Sequence, residues 1–336
     1  MQKVYIIAEV GPNHQGSLKL AKKYVKKISK IGVDAIKFQI GDAEEHYSLD
    51  SFKPDYQKKN IKNNLSIIQQ AKKRLLSYND HVKLYRECKK YKIDYICSAF
   101  DLKSLRFITK NFRFPFYKIP SGELLSIDAL NFISKRKIPI ILSTGMAKIN
   151  EIRQAIKFLN KGSKKDITLL HCVSSYPTKL ENLNLNFMKK LRKIFNYPIG
   201  LSDHTEGEIA AITAVGLGAK IIEKHITFSK KLSGPDHKAS MTIKEFEELV
   251  KKIRNVEKVL GKEEKIITQN EFKVSKALRK SCVSNRDIKK GEIIKKSDIV
   301  FKRPGIGLSP IFYNKLIGKK IKRNIKQNKL FTENMF

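Results

Sequence analysis

The sequence predicts an α/β chain: a (β/α)8 barrel of the TIM type followed by a small C-terminal β-rich domain. Eight short β-branched runs alternate with helical patterns up to about residue 260. Such alternation implies parallel strands joined by helical crossovers, and eight is the number that closes a barrel. The span, roughly 250 residues, is the usual size of one. After it the chain changes character: RKSCVSNRDIKKGEIIKKSDIVFKRPGIGLSP has short strand pieces punctuated by Gly, Asp and Pro.

The strand candidates are 4–8, 35–39, 95–100, 116–119, 138–143, 167–172, 198–201 and 220–223. Between the first two, SLKLAKKYVKKI reads as a helix, with apolar residues at 18, 21, 24, 25 and 28, Ser17 as N-cap and Gly32 as a stop. Similar helices are expected at 149–159, 208–217 and 243–260, the last ending at Gly261. An open doubly wound sheet is disfavoured, because the first βα turn, GPNHQG, lacks a GxGxxG pattern. The stretch 42–77 is too long for a simple βα loop and carries an amphipathic piece at 67–76, so it is read as a functional loop on the barrel rim. The expected division is a barrel at 1–262, a charged linker at 263–277 and the small domain at 278–336.

Composition narrows the function classes. No apolar run is long enough to span a bilayer, and the N-terminal run is too short for a signal peptide, so no membrane partner is expected and the protein is read as cytoplasmic. Four scattered cysteines without a CxxC pair fit a reduced compartment better than a disulfide framework or a zinc site. The formal charge of +37 favours anions. Yet the lysines are spread over the polar faces of helices, with no basic tail and no interleaved aromatics, which argues against nucleic acid as a partner. A solvated lysine-rich surface is the simpler reading, and a funnel for small phosphorylated or carboxylated substrates the second.

In a (β/α)8 barrel the residues just past each strand line one mouth, where chemistry occurs. Here these are Glu9, Asn13 and His14, then Lys37 and Gln39, then Ser98, then Lys118, Ser121 and Glu123. Ser143 and Thr144, Ser174 and Tyr176, then Ser202, Asp203 and His204, and finally Glu223 and His225 complete the ring. Two lysines with several hydroxyls suit a phosphate and a carboxylate. Histidines on adjacent strands seven and eight would meet on one divalent ion with open positions, and a carboxylate across the mouth would serve as general base. Taken singly, each has an ordinary reading: a lysine at a strand end is usually solvated, and a mouth histidine usually a hydrogen-bond partner. His171, inside ITLLHC, reads as a buried, satisfied histidine; His237 sits on a loop where Asp236 is the stronger candidate for ligand contact.

At these residues the sequence resembles the sialic acid synthase family, which also makes legionaminic and pseudaminic acids. The matching motifs are AEVGPNHQGS, AIKFQ, YKIPSGE, ILSTGMA, HCVSSYP, GLSDHTEG, GAKIIEKHITF and SGPDHKAS, and IKKGEIIKKSDIVFKRPGIG resembles the family's antifreeze-like (SAF, β-clip) domain. The resemblance covers nearly the whole chain and is loose only at 42–77. It implies condensation of phosphoenolpyruvate with an N-acylated mannosamine-type sugar, N-acetylmannosamine in the first instance, with N-acetylneuraminate and phosphate as products. The alternative it leaves is N,N'-diacetyllegionaminate from 2,4-diacetamido-2,4,6-trideoxymannose, with pseudaminate less favoured.

The resemblance also implies a divalent metal, Mn2+ first, with Mg2+ or Co2+ as substitutes, held by His204 and His225. It assigns Lys37, Ser98, Lys118, Ser121, Ser143, Ser174 and Ser202 to phosphoenolpyruvate. Gln39, Tyr176 and Asp236 fall to the sugar, and Glu9, Glu123 and Glu223 to acid–base work, with Glu123 activating water. Arg303, in KRPG, matches an arginine that reaches the N-acyl group from a partner subunit, which implies a domain-swapped homodimer. Ser174 stands where some sialic acid synthases carry asparagine, and Ser98-Ala99 replaces a Thr-Pro pair. The first departure bears on which sugar binds.

Overall fold

The computed structural model describes residues 3–61, 64–161 and 163–336. It divides into two compact units, one up to Gly261 and one from Lys262.

The first unit is the expected barrel. Its strands are β1 (Tyr5–Glu9), β2 (Ala35–Ile40), β3 (Asp94–Ala99), β4 (Tyr117–Ile119), β5 (Ile140–Ser143), β6 (Ile167–Cys172), β7 (Ile199–Asp203) and β8 (Ile221–Thr227). They run in the order β3-β2-β1-β8-β7-β6-β5-β4 with parallel pairing throughout. β3 and β4 lie side by side without a ladder among the described residues, so the ring is nearly closed. A two-residue strand, Met241–Thr242, adds to β8.

Helices cover the outside as their periodicity demands. Leu18–Ile28 starts at Ser17, whose hydroxyl accepts from Leu20 N, and turns Ala21, Tyr24, Val25 and Ile28 onto the sheet. Each fully buried side chain of valine or isoleucine size contributes roughly 1.5–3 kcal/mol. Ile149–Leu159 and Ile243–Leu260 form at their expected bounds, the latter opened by a Thr242–Glu245 capping box. No helix is long and apolar enough to cross a membrane, among the described residues.

Alternation along the strands separates two layers inside the barrel. Ile7, Ala35, Ile96, Ile141, Leu170 and Ile221 form one buried apolar cluster. Two residues further along each of these strands stand Glu9, Lys37, Ser98, Ser143, Cys172 and Glu223. The period of two therefore sets a polar layer on top of an apolar floor. That layer is the mouth.

The stretch 42–77 holds three short helices, Ala43–His46, Asp55–Asn60 and Ile67–Arg74. The second unit opens with a helix, Gln269–Leu278, where the sequence reading placed only a linker. The Thr268–Glu271 capping box is the signal that reading overlooked. Beyond it, Ser281–Ser284 and Ile299–Lys302 pair antiparallel over a small core of Cys282, Ile288, Ile294, Leu316, Ile321, Ile325 and Phe331.

Candidate active site

At the barrel mouth Glu223 bridges two buried lysines. Its Oε1 lies 3.6 Å from Lys37 Nζ and 3.5 Å from Lys118 Nζ, and accepts from Ser202 Oγ at 3.0 Å. Lys37 also meets Glu9 at 3.1 Å and Ser98 Oγ at 3.5 Å, while Lys118 donates to Ser143 Oγ at 2.8 Å. Lys37, Lys118, Glu9 and Glu223 are all at most 5% exposed.

Burial opposes every one of these charges, and the neighbours decide which survive. For Glu223 the two ammonium groups outweigh burial and hold its carboxyl below the usual range. For Glu9 burial wins over Lys37, and its carboxyl rises. Burial pulls Lys118 down, whereas Glu223 and Glu9 together keep Lys37 up. Glu9 also accepts from Gln39 Nε2 at 2.8 Å.

Ser121 and Ser174 sit beside this array. Gly145 N donates to Ser121 Oγ at 3.0 Å, and a Cβ on Gly145 would lie 2.4 Å from Ser174 Oγ and 2.8 Å from Ser121 Oγ. Only glycine lets the backbone approach both hydroxyls.

His204 and His225 are brought together, with ring centroids 5.5 Å apart. His204 Nδ1 is 2.8 Å from the Val173 carbonyl, which makes it the donor there and leaves Nε2 free to ligate. His225 Nδ1 is buried without a hydrogen-bond partner among the described residues, 3.7 Å from Asp236 Oδ2. Burial, with His204 and Lys37 nearby, holds His225 well below the ordinary histidine range and so in the neutral form that binds metals. Among the described residues no group of three or more His, Cys, Asp or Glu side chains is arranged to hold a metal. Against burial, the Cys172 sulfur and the Val173 carbonyl raise His204. The neutral His225, with its orphaned nitrogen, and the Nε2 of His204 fit an ion whose other positions come from water and substrate, an ion that would compete with a proton for His204.

His225 opens onto a cavity of about 250 Å³. Gln39, Tyr176, His225 and Asp236 line one side of it. Tyr176 stands 4.1 Å from the His204 ring and 5.0 Å from that of Tyr56. Burial raises the Asp236 carboxyl to about 6. The segment 42–77 adds Tyr47, Tyr56, Gln57, Ala71, Arg74 and Leu75 to the lining. The sequence reading named none of these six. The one available signal was the amphipathic piece at 67–76, whose arginine looked like an ordinary basic residue at a helix C-terminus.

Asp203 does not face the mouth: it is one residue out of phase with Ser202 and His204, so it points outward and pairs with Lys224 Nζ at 2.6 Å. Glu123 lies a short 3-10 turn past β4, with Oε2 taken by Ser126 Oγ at 2.5 Å and its carboxyl raised by burial. Among the described residues its hydrogen bonds do not reach the lysine array. Arg303 belongs to the second unit, is exposed, and donates from Nε to the Leu278 carbonyl at 2.9 Å. His171 is satisfied by the Leu183 carbonyl at 2.6 Å, and His237 by Thr227 Oγ1 at 2.8 Å; Asn13 is occupied with Ile226 O and Ser240 Oγ.

Comparison with known proteins agrees with this fold. Residues 24–265 match the NeuB family and residues 279–336 the SAF domain. The chain is 39% identical to an N,N'-diacetyllegionaminic acid synthase of Campylobacter jejuni, over 99% of this chain and 100% of that one. It is 34% identical to a pseudaminic acid synthase of the same species, over 97% and 94%. A crystal structure of N-acetylneuraminic acid (sialic acid) synthetase from Leptospira borgpetersenii matches with a TM-score of 0.72 and 30% identity, over 81% and 90% of the two chains. The chain belongs to the NeuB family of sialic (nonulosonic) acid synthases, with a SAF domain at its C-terminal end.

Proposed function

We propose that this chain condenses phosphoenolpyruvate with an N-acylated mannosamine-type aldehyde and water, giving a nine-carbon 2-keto-3-deoxy sugar acid and phosphate. The observation that carries it is the buried Lys37–Glu223–Lys118 array with its hydroxyls, placed beside a histidine pair at a barrel mouth. Two ammonium groups in a water-poor site suit the phosphate and carboxylate of phosphoenolpyruvate, and Ser98, Ser121, Ser143, Ser174 and Ser202 supply the remaining donors.

C3 of phosphoenolpyruvate bonds to the aldehyde carbon, whose oxygen takes a proton. Glu9, whose carboxyl burial raises, is the proposed donor. Water adds at C2 and loses its proton to Glu123. The bond from C2 to the bridging oxygen then breaks, phosphate leaves with the electron pair and takes up the proton of the C2 hydroxyl, and the ketone forms. His204 and His225 would hold a divalent ion, Mn2+ in the first instance, which when bound supplies Lewis-acid polarisation of the aldehyde. Gln39, Tyr176 and Asp236 orient the sugar. Arg303 of the partner subunit would complete the site in a domain-swapped homodimer. Four free, buried cysteines fit a reducing, cytoplasmic setting.

Among acceptors, 2,4-diacetamido-2,4,6-trideoxymannose is favoured, because the relative of higher identity bears the diacetyllegionaminic name. N-acetylmannosamine is the second reading, favoured by the likeness to the Leptospira synthetase. Phosphate release with Mn2+, phosphoenolpyruvate and each sugar in turn, N-acetylmannosamine 6-phosphate included, tests both. The diacetamido sugar is expected to give the largest kcat/KM. Release with none of the sugars contradicts the proposed reaction.

A further inference from the structure

We propose that Arg74 forms a further subsite of this cavity and selects an acceptor sugar that carries a neutral acyl-amide carbonyl on the part of its chain remote from the aldehyde. The inference rests on the condensation reading above and adds a specificity-determining residue to it.

The 42–77 segment is built into the rim rather than draped over it. Gly16 has φ +74°, and a Cβ there would lie 2.3 Å from the Lys73 carbonyl, so the first βα loop and the helix Ile67–Arg74 meet backbone to backbone. On the other side Asn60 Nδ2 donates to the Pro235 carbonyl at 2.8 Å. These two contacts hold Arg74 in the cavity lining that it shares with Gln39, His225 and Asp236.

The Arg74 Nη1 is buried, yet among the described residues it has no hydrogen-bond partner. Leaving a guanidinium N–H unsatisfied is costly, so native structures pair such groups or reserve them for a ligand. Asp236 is the carboxylate whose charge acts on Arg74, with Tyr47 and Tyr56 alongside. Asp236 lines the same cavity, so a phosphate there would meet a carboxylate as well as the guanidinium. The guanidinium retains a donor for a carbonyl oxygen. Ala71 and Leu75, which line the same cavity, offer an apolar seat for the acyl methyl.

Direction along the sugar follows from the lysines. The new C–C bond forms where Lys37 and Lys118 hold phosphoenolpyruvate, so the aldehyde points to the strand ends. The remote carbons then extend toward 42–77. An acetamido group at C4 would meet Arg74; the hydroxyl of N-acetylmannosamine at that carbon carries no carbonyl to accept from it.

Steady-state kinetics of the full-length enzyme, Arg74→Gln and Arg74→Lys, with the diacetamido sugar, N-acetylmannosamine and N-acetylmannosamine 6-phosphate, test the assignment. Arg74→Gln is expected to cut kcat/KM for the diacetamido sugar roughly ten- to hundred-fold more than for N-acetylmannosamine, mainly through the sugar KM. The KM for phosphoenolpyruvate and the thermal midpoint should hold, which separates lost recognition from lost folding, and Arg74→Lys should recover part of the preference. Equal losses on both unphosphorylated sugars would reduce Arg74 to a packing residue and overturn the assignment. So would a greater loss with the 6-phosphate. Wild-type enzyme that turns over no sugar at all overturns the condensation reading itself, and this inference with it.

Discussion

Lys224 Nζ lies 2.6 Å from Asp203 Oδ2, and neither side chain is exposed. The same ammonium donates to the Thr205 carbonyl at 2.7 Å, and Asp203 Oδ1 accepts from Thr205 N at 2.9 Å and Oγ1 at 2.8 Å. In the ladder Ser202 stands opposite Glu223 and Asp203 opposite Lys224. The outward pair thus locks the register that puts Glu223, His204 and His225 in the mouth. Breaking such a pair leaves an uncompensated buried charge. Lys224→Met should cost about 3–5 kcal/mol of stability by denaturant unfolding. Asp203→Asn/Lys224→Met should recover much of that loss, because no lone charge remains. A single variant within about 1 kcal/mol of wild type would contradict a locking role.

The lysine array makes a second, separable prediction. Lys118 donates to Ser143 and faces Glu223. Lys118→Met removes one of two cations from the phosphoenolpyruvate side. The KM for phosphoenolpyruvate should rise roughly 30-fold or more, by the worth of a charge-assisted hydrogen bond. The KM for the sugar should change far less. Rates measured with each substrate varied in turn decide it, and a matching rise in both constants counts against the assignment.

Much of this site was legible because a strand repeats every two residues. Ile7 and Glu9, Ile96 and Ser98, or Ile141 and Ser143 announce floor and mouth by alternation alone. Asp203 was misplaced because strand ends were read as blocks rather than by alternate residues. The strand phase that turns Ser202 inward turns its neighbour outward. Arg74 was illegible for another reason. Its role depends on where 42–77 docks, which is set by Gly16 and Asn60 at long range rather than by any local pattern.

Metal binding and water activation should come apart. His225→Ala and His204→Ala should each weaken Mn2+ binding, followed by electron paramagnetic resonance of the free ion, by at least tenfold. Glu123→Gln should bind Mn2+ as wild type does and yet turn over at least a hundredfold more slowly, a general-base loss. Wild-type activity in Glu123→Gln would remove that residue from the role. Unchanged Mn2+ binding in both histidine variants would remove the metal from these imidazoles.

Acid sensitivity should follow from two histidines buried neutral. Burial lowers His14 to about 4 and His81 to about 3, with His81 Nδ1 2.8 Å from Tyr95 Oη. Below about 6.5 the unfolded chain binds protons that the folded chain refuses, so stability is full above that pH and falls as pH drops toward 4. Each histidine contributes up to about 1.4 kcal/mol per pH unit in that window. Urea midpoints at pH 7, 5.5 and 4.5 should show His81→Gln with a shallower fall than wild type. Identical slopes would mean that His81 does not titrate with unfolding.

The central claim is a condensation with C–O cleavage, and isotopic labelling reads it directly. Phosphoenolpyruvate carrying 18O in the oxygen that bridges C2 and phosphorus, given with the sugar and Mn2+, should release phosphate only when both substrates are present. The label should then appear in that phosphate. Phosphate released without sugar, or label retained at C2 of the product, would contradict the account.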